Sequence, residues 1–105
     1  MAAYFVLHYA VTDPALYAEY SRDAGATVAP HGGEVICFDV AATSIEGAAP
    51  GAQTVIIKFA SVEQAQAWYD SAEYQAVLDK RIDSTNGFAV LAQSMNRGGS
   101  ALTRD

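Results

Sequence analysis

The sequence predicts an α+β fold: one four-stranded antiparallel sheet with two helical segments, in the order β-α-β-β-α-β. Three features predict it. The chain opens on a nine-residue apolar run, AYFVLHYAV, that meets a helix start at Thr12-Asp13-Pro14. Its middle holds two apolar runs separated by a Gly- and Pro-containing stretch. Its second half runs from the strand VIIKF into a capped helix at Ser61, which is interrupted and recapped at Ser71.

Each element has a local cause. Ala3 to Val11 is apolar on both faces, as expected of a strand covered on two sides. Asp13 or Thr12 supplies the N-cap of the first helix, with Pro14 at its first position. Leu16, Tyr17, Tyr20, Ala24 and Val28 form one apolar stripe at helical spacing, and the helix must end near Ala29, before Pro30 and Gly32-Gly33. Glu34 to Val40 reads as the second strand, Ala41 to Ala52 as a hairpin loop with some extended structure before Glu46, and Thr54 to Phe59 as the third strand. Ser61-Val62-Glu63-Gln64 is a capping box, and Ser71 restarts the helix after Asp70. Asn86-Gly87 reads as a turn before a fourth strand, Phe88 to Ser94. This order is the ferredoxin-like arrangement. It assigns residues 1–94 to one domain and 95–105 to a C-terminal tail, as a chain of 105 residues warrants.

Alternation along the strands separates two faces. Phe5, Leu7, Tyr9 and Val11, with Val55, Ile57 and Phe59, suit a core beneath the helices. Tyr4, Val6, His8 and Ala10, with Thr54, Ile56 and Lys58, suit the opposite face. That face is too apolar to stay in water, so pairing with a second copy is expected, enclosing a cavity with a few polar groups.

Composition narrows the partners. With 51% hydrophobic residues and 17% charged, the chain is too apolar for disorder. A net charge of −6 argues against nucleic acid or an anionic membrane surface. Two histidines and one cysteine, without metal-ligand spacing, supply no metal site, and no glycine motif fits a nucleotide or other cofactor. The lone Cys37, in an apolar strand, reads as a small buried hydrophobe and suits a reducing compartment. No apolar run is long enough to span a bilayer, and Met1-Ala2-Ala3 lacks the basic start of a signal peptide, so a cytoplasmic location is expected.

Several residues taken together resemble a known family: Asp13-Pro14 with Tyr17 and Tyr20, Gly32-Gly33, Ile45-Glu46-Gly47, then Phe59, Ala65, Trp68, Ser71, Glu73-Tyr74 and Arg81. In this ordered set the chain is similar to the domain-of-unknown-function 1330 family of the dimeric α+β barrel superfamily. The resemblance implies the fold and a homodimer, and names no reaction. Two positions depart from the family's pattern: Gln53 stands where relatives tend to carry arginine, and Lys58 where they tend to carry glutamate.

His8 and Lys58 are the candidate catalytic residues. His8 can exchange a proton near neutral pH, and Lys58 or Arg81 can hold developing negative charge. The candidate ligand-binding residues are Tyr4, His31, Trp68, Tyr74 and Arg81. Each has a structural alternative: His8 bonded within an interface, His31 on a solvated turn, Trp68 in the core, and Arg81 in an ion pair with Glu46 or Asp79. Segment 79–83 as a whole reads as a solvated helix end. The superfamily resemblance implies a cofactor-independent enzyme of monooxygenase, isomerase or lyase type. A non-catalytic ligand-binding or stress-related module, and a dimer whose cavity is filled by side chains, are the other readings.

Overall fold

A computed structural model describes residues 1–95. Four strands, β1 (Ala3–Val11), β2 (Glu34–Asp39), β3 (Gln53–Phe59) and β4 (Thr85–Gln93), form one antiparallel sheet in the order β2-β3-β1-β4. Helices α1 (Pro14–Val28), α2 (Val62–Asp70) and α3 (Ala72–Ser84) pack over one face, with a 3₁₀ turn at Ala29–His31. The ferredoxin-like α+β fold expected from the sequence is present. Residues 96–105, nearly all of the expected tail, lie outside the described residues. Among the described residues no helix is long and apolar enough to cross a membrane.

Strand β1 is central, pairing from Ala3↔Phe59 to Tyr9↔Gln53 with β3 and from Ala3↔Gln93 to Val11↔Thr85 with β4. Its alternate residues Ala3, Phe5, Leu7 and Tyr9 join Val55, Ile57, Phe59, Tyr17, Tyr20, Ala65, Trp68 and Tyr74 in the core. Trp68 is only 1% exposed and lies against Phe5, Phe59 and Tyr74, its ring centroid 5.3, 5.5 and 4.2 Å from theirs. Truncating so large a buried ring costs about 3–5 kcal/mol in typical cores.

The helix caps form as the sequence suggests, with one change. Asp13 Oδ1 accepts from Leu16 N at 3.1 Å, Ser61 Oγ from Gln64 N at 3.0 Å and Ser71 Oγ from Tyr74 N at 3.2 Å. The side chain of Gln64 does not return to Ser61; its Nε2 donates to the His31 carbonyl at 3.0 Å and ties α2 to the end of α1. Residues 40–52 form no strand, and their ends are held by Ala42 N donating to Ala52 O at 3.0 Å.

Three expectations are corrected. Asn86-Gly87 is part of β4 rather than a turn, because α3 passes directly into extended backbone at Thr85. Gly87 lies opposite Tyr9 and against the His8 carbonyl, where a Cβ atom would collide. Cys37 is half-buried rather than buried, because β2 is an edge strand, mostly exposed and bulged between Val35 and Cys37. Finally, segment 79–83 is not uniformly solvated: Arg81 is buried, while Lys80 bonds Asp23 at 3.1 Å and lies 3.4 Å from Glu19, bridging α3 to α1.

A Gly87→Ala variant should lose about 1–3 kcal/mol of stability through overpacking against β1, read as a lower midpoint in chemical denaturation. An unchanged midpoint would show that the two strands separate there at no cost.

Candidate functional site

The sheet divides the candidate residues into two groups. Tyr4, His8 and Lys58 lie on the open face with Val6, Ile56, Phe88 and Val90. His8 Nδ1 is 2.9 Å from Thr54 Oγ1, and its ring sits 5.8 Å from that of Phe88. Lys58 pairs in register with Tyr4 and with Glu34, four residues along β3 from Thr54. At the strand rise that places the Lys58 and Thr54 backbones about 13 Å apart on the same face.

Trp68, Tyr74 and Arg81 lie beneath the helices, on the other side of the sheet. Trp68 Nε1 donates to Thr27 Oγ1 at 2.8 Å, fixing the indole between α2 and α1. Tyr69, its neighbour, stacks on Phe5 with ring planes 16° apart. Arg81 is 9% exposed, and its Nε donates to Tyr74 Oη at 3.3 Å in place of the expected ion pair with Glu46 or Asp79. The two residues are seven apart, two turns of α3, and share one helix face as the spacing predicts. His31 belongs to neither group: it ends the 3₁₀ turn, and its Nδ1 lies 3.0 Å from the Thr27 carbonyl.

A pocket of about 130 Å³ opens between α1 and the β2 side of the sheet. Leu7, Val28, Val55 and Ile57 give it an apolar floor, Val35 and Phe38 of the edge strand its outer wall, and Tyr9, Tyr17, Tyr20 and Trp68 its aromatic end. The phenols form two short chains. Gln53 Nε2 donates to Tyr17 Oη at 2.8 Å, and the Tyr17 hydroxyl lies 2.8 Å from that of Tyr9. Arg81 donates to Tyr74, whose hydroxyl lies 2.8 Å from that of Tyr20.

Burial holds the protons of Tyr9, Tyr17 and Tyr20 more tightly than usual. Burial raises the pKa of Tyr9, reinforced by Tyr17, and raises that of Tyr20, reinforced by Tyr74. Burial also raises Tyr17, outweighing the hydrogen bonds from Tyr9 and Gln53 that lower it. Burial opposes the Arg81 charge, yet Tyr74, Tyr20 and Tyr9 hold its pKa above the ordinary value. Among the described residues no cluster of His, Cys, Asp and Glu could hold a metal ion.

Tyr9, Tyr17, Tyr20 and Gln53 are not among the candidate site residues read from the sequence, although Tyr17 and Tyr20 carry the family resemblance and Gln53 departs from its pattern. The available signal was positional: Tyr17 and Tyr20 lie three apart on the apolar stripe of α1, and Tyr9 lies on the core face of β1. Gln53 occupies the position where family members tend to carry arginine, and its amide supplies one end of the phenol network.

The profile of the domain-of-unknown-function 1330 family, DUF1330, matches residues 2–95. The chain belongs to this family. No curated protein matches it. Among solved structures, this DUF1330 chain is similar to a protein of unknown function from Rhodopseudomonas palustris, with a TM-score of 0.75 at 14% identity, covering 90% of this chain and 83% of that one. It is similar to HapK from Hahella chejuensis, with a TM-score of 0.59 at 14% identity over 91% and 95% of the two chains. It is also similar to a candidate antibiotic biosynthesis monooxygenase from Nitrosomonas europaea, with a TM-score of 0.57 at 12% identity over 91% and 92%. At such identities the likeness shows a shared fold alone.

The phenol pKa values give the DUF1330 protein a pH signature. Tyr9, Tyr17 and Tyr20 ionise less readily folded than unfolded, where the value is 10.0, so the unfolded chain loses these protons first. Stability should be intact below about pH 10 and fall above it, as linkage requires. Denaturation midpoints between pH 8 and pH 11 check this. A midpoint that stays level through pH 11 would show these hydroxyls reaching solvent in the folded state.

Proposed function

We propose that the protein is a homodimer, joined through its open sheet faces, that holds a small molecule in the pocket beneath α1 of each protomer. The observation that carries the ligand reading is the pocket itself, an apolar hollow with three tyrosines and Trp68 in its lining. A cavity of roughly 150 Å³ with apolar walls admits a benzene-sized molecule. At about 130 Å³ this pocket suits one ring or a short branched chain. Binding sites combine an apolar lining with a few polar groups in this way.

The dimer reading rests on the open face and on the family resemblance. Phe88 and Val90 are 48% and 49% exposed, beside Val6 and Ile56 at the centre of the sheet. Glu34 and Lys58, of opposite sign, face one another across β2 and β3, so the rim carries both signs of charge. A face with both signs suits an isologous contact with its own copy.

A second reading places proton transfer at His8, in a cofactor-independent enzyme of monooxygenase, isomerase or lyase type. It is favoured by one geometric fact: Thr54 engages His8 Nδ1 and orients the ring on the sheet face. Lys58, four residues along β3 from Thr54 on the same face, is the charged group that would hold developing negative charge in this reading, with Tyr4 as its register neighbour.

Light scattering should give twice the chain mass of 11.1 kDa, and Val90→Glu should give the monomer mass with its circular dichroism intact. A monomeric wild-type chain would defeat the dimer. For the pocket, benzyl alcohol should shift the methyl resonances of Val28, Val35, Val55 and Ile57, and Ser21→Trp, at the pocket lining, should abolish those shifts. The pocket reading fails if benzyl alcohol leaves these methyls unmoved.

A further inference from the structure

The hydrogen-bond inventory around the pocket is unbalanced. Gln53 donates its amide N–H to Tyr17, and Tyr17 and Tyr9 bond to each other. Two hydroxyls bonded together hold two hydrogens and use one, so one phenol hydrogen is left over whichever way the pair is oriented. Arg81 donates to Tyr74, and Tyr74 and Tyr20 repeat the arithmetic, leaving a second hydrogen. With Gln53 donating, none of the hydrogen bonds among the described residues takes either surplus hydrogen.

The charge inventory is unbalanced in the same direction. Arg81 carries five N–H donors, of which only Nε is engaged in the described hydrogen bonds. It is 9% exposed, and none of the ion pairs among the described residues includes it. A buried guanidinium without a counter-charge is costly, and the natural complement is an anion. The two chains belong to one cluster: the Tyr17 and Tyr20 ring centroids are 5.6 Å apart, and the Arg81 charge acts on Tyr9, Tyr17 and Tyr20 alike. Three of the four phenol rings line the pocket.

We propose that the pocket takes a small organic acid, its apolar body against Val28, Val35, Val55 and Ile57 and its carboxylate accepting the surplus phenol hydrogens in the field of Arg81. This rests on the pocket reading above and adds the ligand's charge and polarity. The selection is local, since a chain of net charge −6 repels anions at long range. Tyr9, Tyr17 and Tyr20 serve as neutral donors at physiological pH, well below the ordinary phenol value of 10.0, and burial only strengthens this. Hydrogen bonds to a charged acceptor are about twice as strong as neutral ones, which sets the expected discrimination at roughly tenfold or more.

Benzoate and benzyl alcohol, with the same ring and differing in charge, are the probes. Titration of the full chain, followed by the Val28, Val35, Val55 and Ile57 methyl resonances, should show benzoate binding about tenfold tighter than benzyl alcohol. Arg81→Gln should reduce that preference about tenfold; if that variant does not fold, Tyr20→Phe should reduce it in the same direction with the ring kept in place. Equal affinities, or benzoate bound only elsewhere on the surface, would overturn the organic-acid proposal while leaving the pocket reading intact. If neither probe moves these methyls, both readings fall together.

Discussion

Strand β1 is the constraint on which the rest of the molecule depends. It lies inside the sheet, bonded to β3 on one side and β4 on the other, and its side chains alternate between two unlike surroundings. Phe5, Leu7 and Tyr9 fix the helix-covered core, while Tyr4, Val6 and His8 fix the opposite face. A slip of one residue in its pairing would exchange the two sets. The partition of the candidate residues, with His8 on one side and Arg81 on the other, follows from this alternation and from the helices' covering one face only.

How legible the molecule is in its sequence depends on the range of the interaction concerned. The caps at Asp13, Ser61 and Ser71 are local, and each forms where its residue pattern places it. Gln64 shows the limit: its local pattern points back to Ser61, but a carbonyl brought close by the fold, that of His31, takes the donor. Asn86-Gly87 has the composition of a turn, yet the need for a residue without a side chain beside Tyr9 comes from a strand paired across 78 positions of chain, as the register Tyr9↔Gly87 shows. Such requirements are invisible until the strands are assembled.

The same distinction governs the candidate site. Arg81 is legible as a functional candidate, but its surroundings are not, because its neighbours come from β1, α1 and α3 together. A reading by residue type expects a carboxylate partner; the fold supplies phenols instead. Phenols are weak acids with apolar rings, so they can sit in a core and still present hydrogens. The cluster thus combines two roles that sequence patterns usually separate, filling the interior and carrying polarity. The positions of Tyr9, Tyr17 and Tyr20 on apolar stripes conceal the second role behind the first.

The bulged edge strand β2 has a consequence for the kinetics of the pocket. Val35 and Phe38 form the outer wall, yet β2 is bonded to β3 alone, and its side chains are mostly exposed. Elements with few buried contacts open at a fraction of the free energy of global unfolding, and their amides exchange with solvent accordingly. The wall is therefore the least costly part of the enclosure to displace, whereas the aromatic end rests on the central strand. Transient peeling of β2 would widen the pocket mouth while β1, the helices and the phenol chains keep their places.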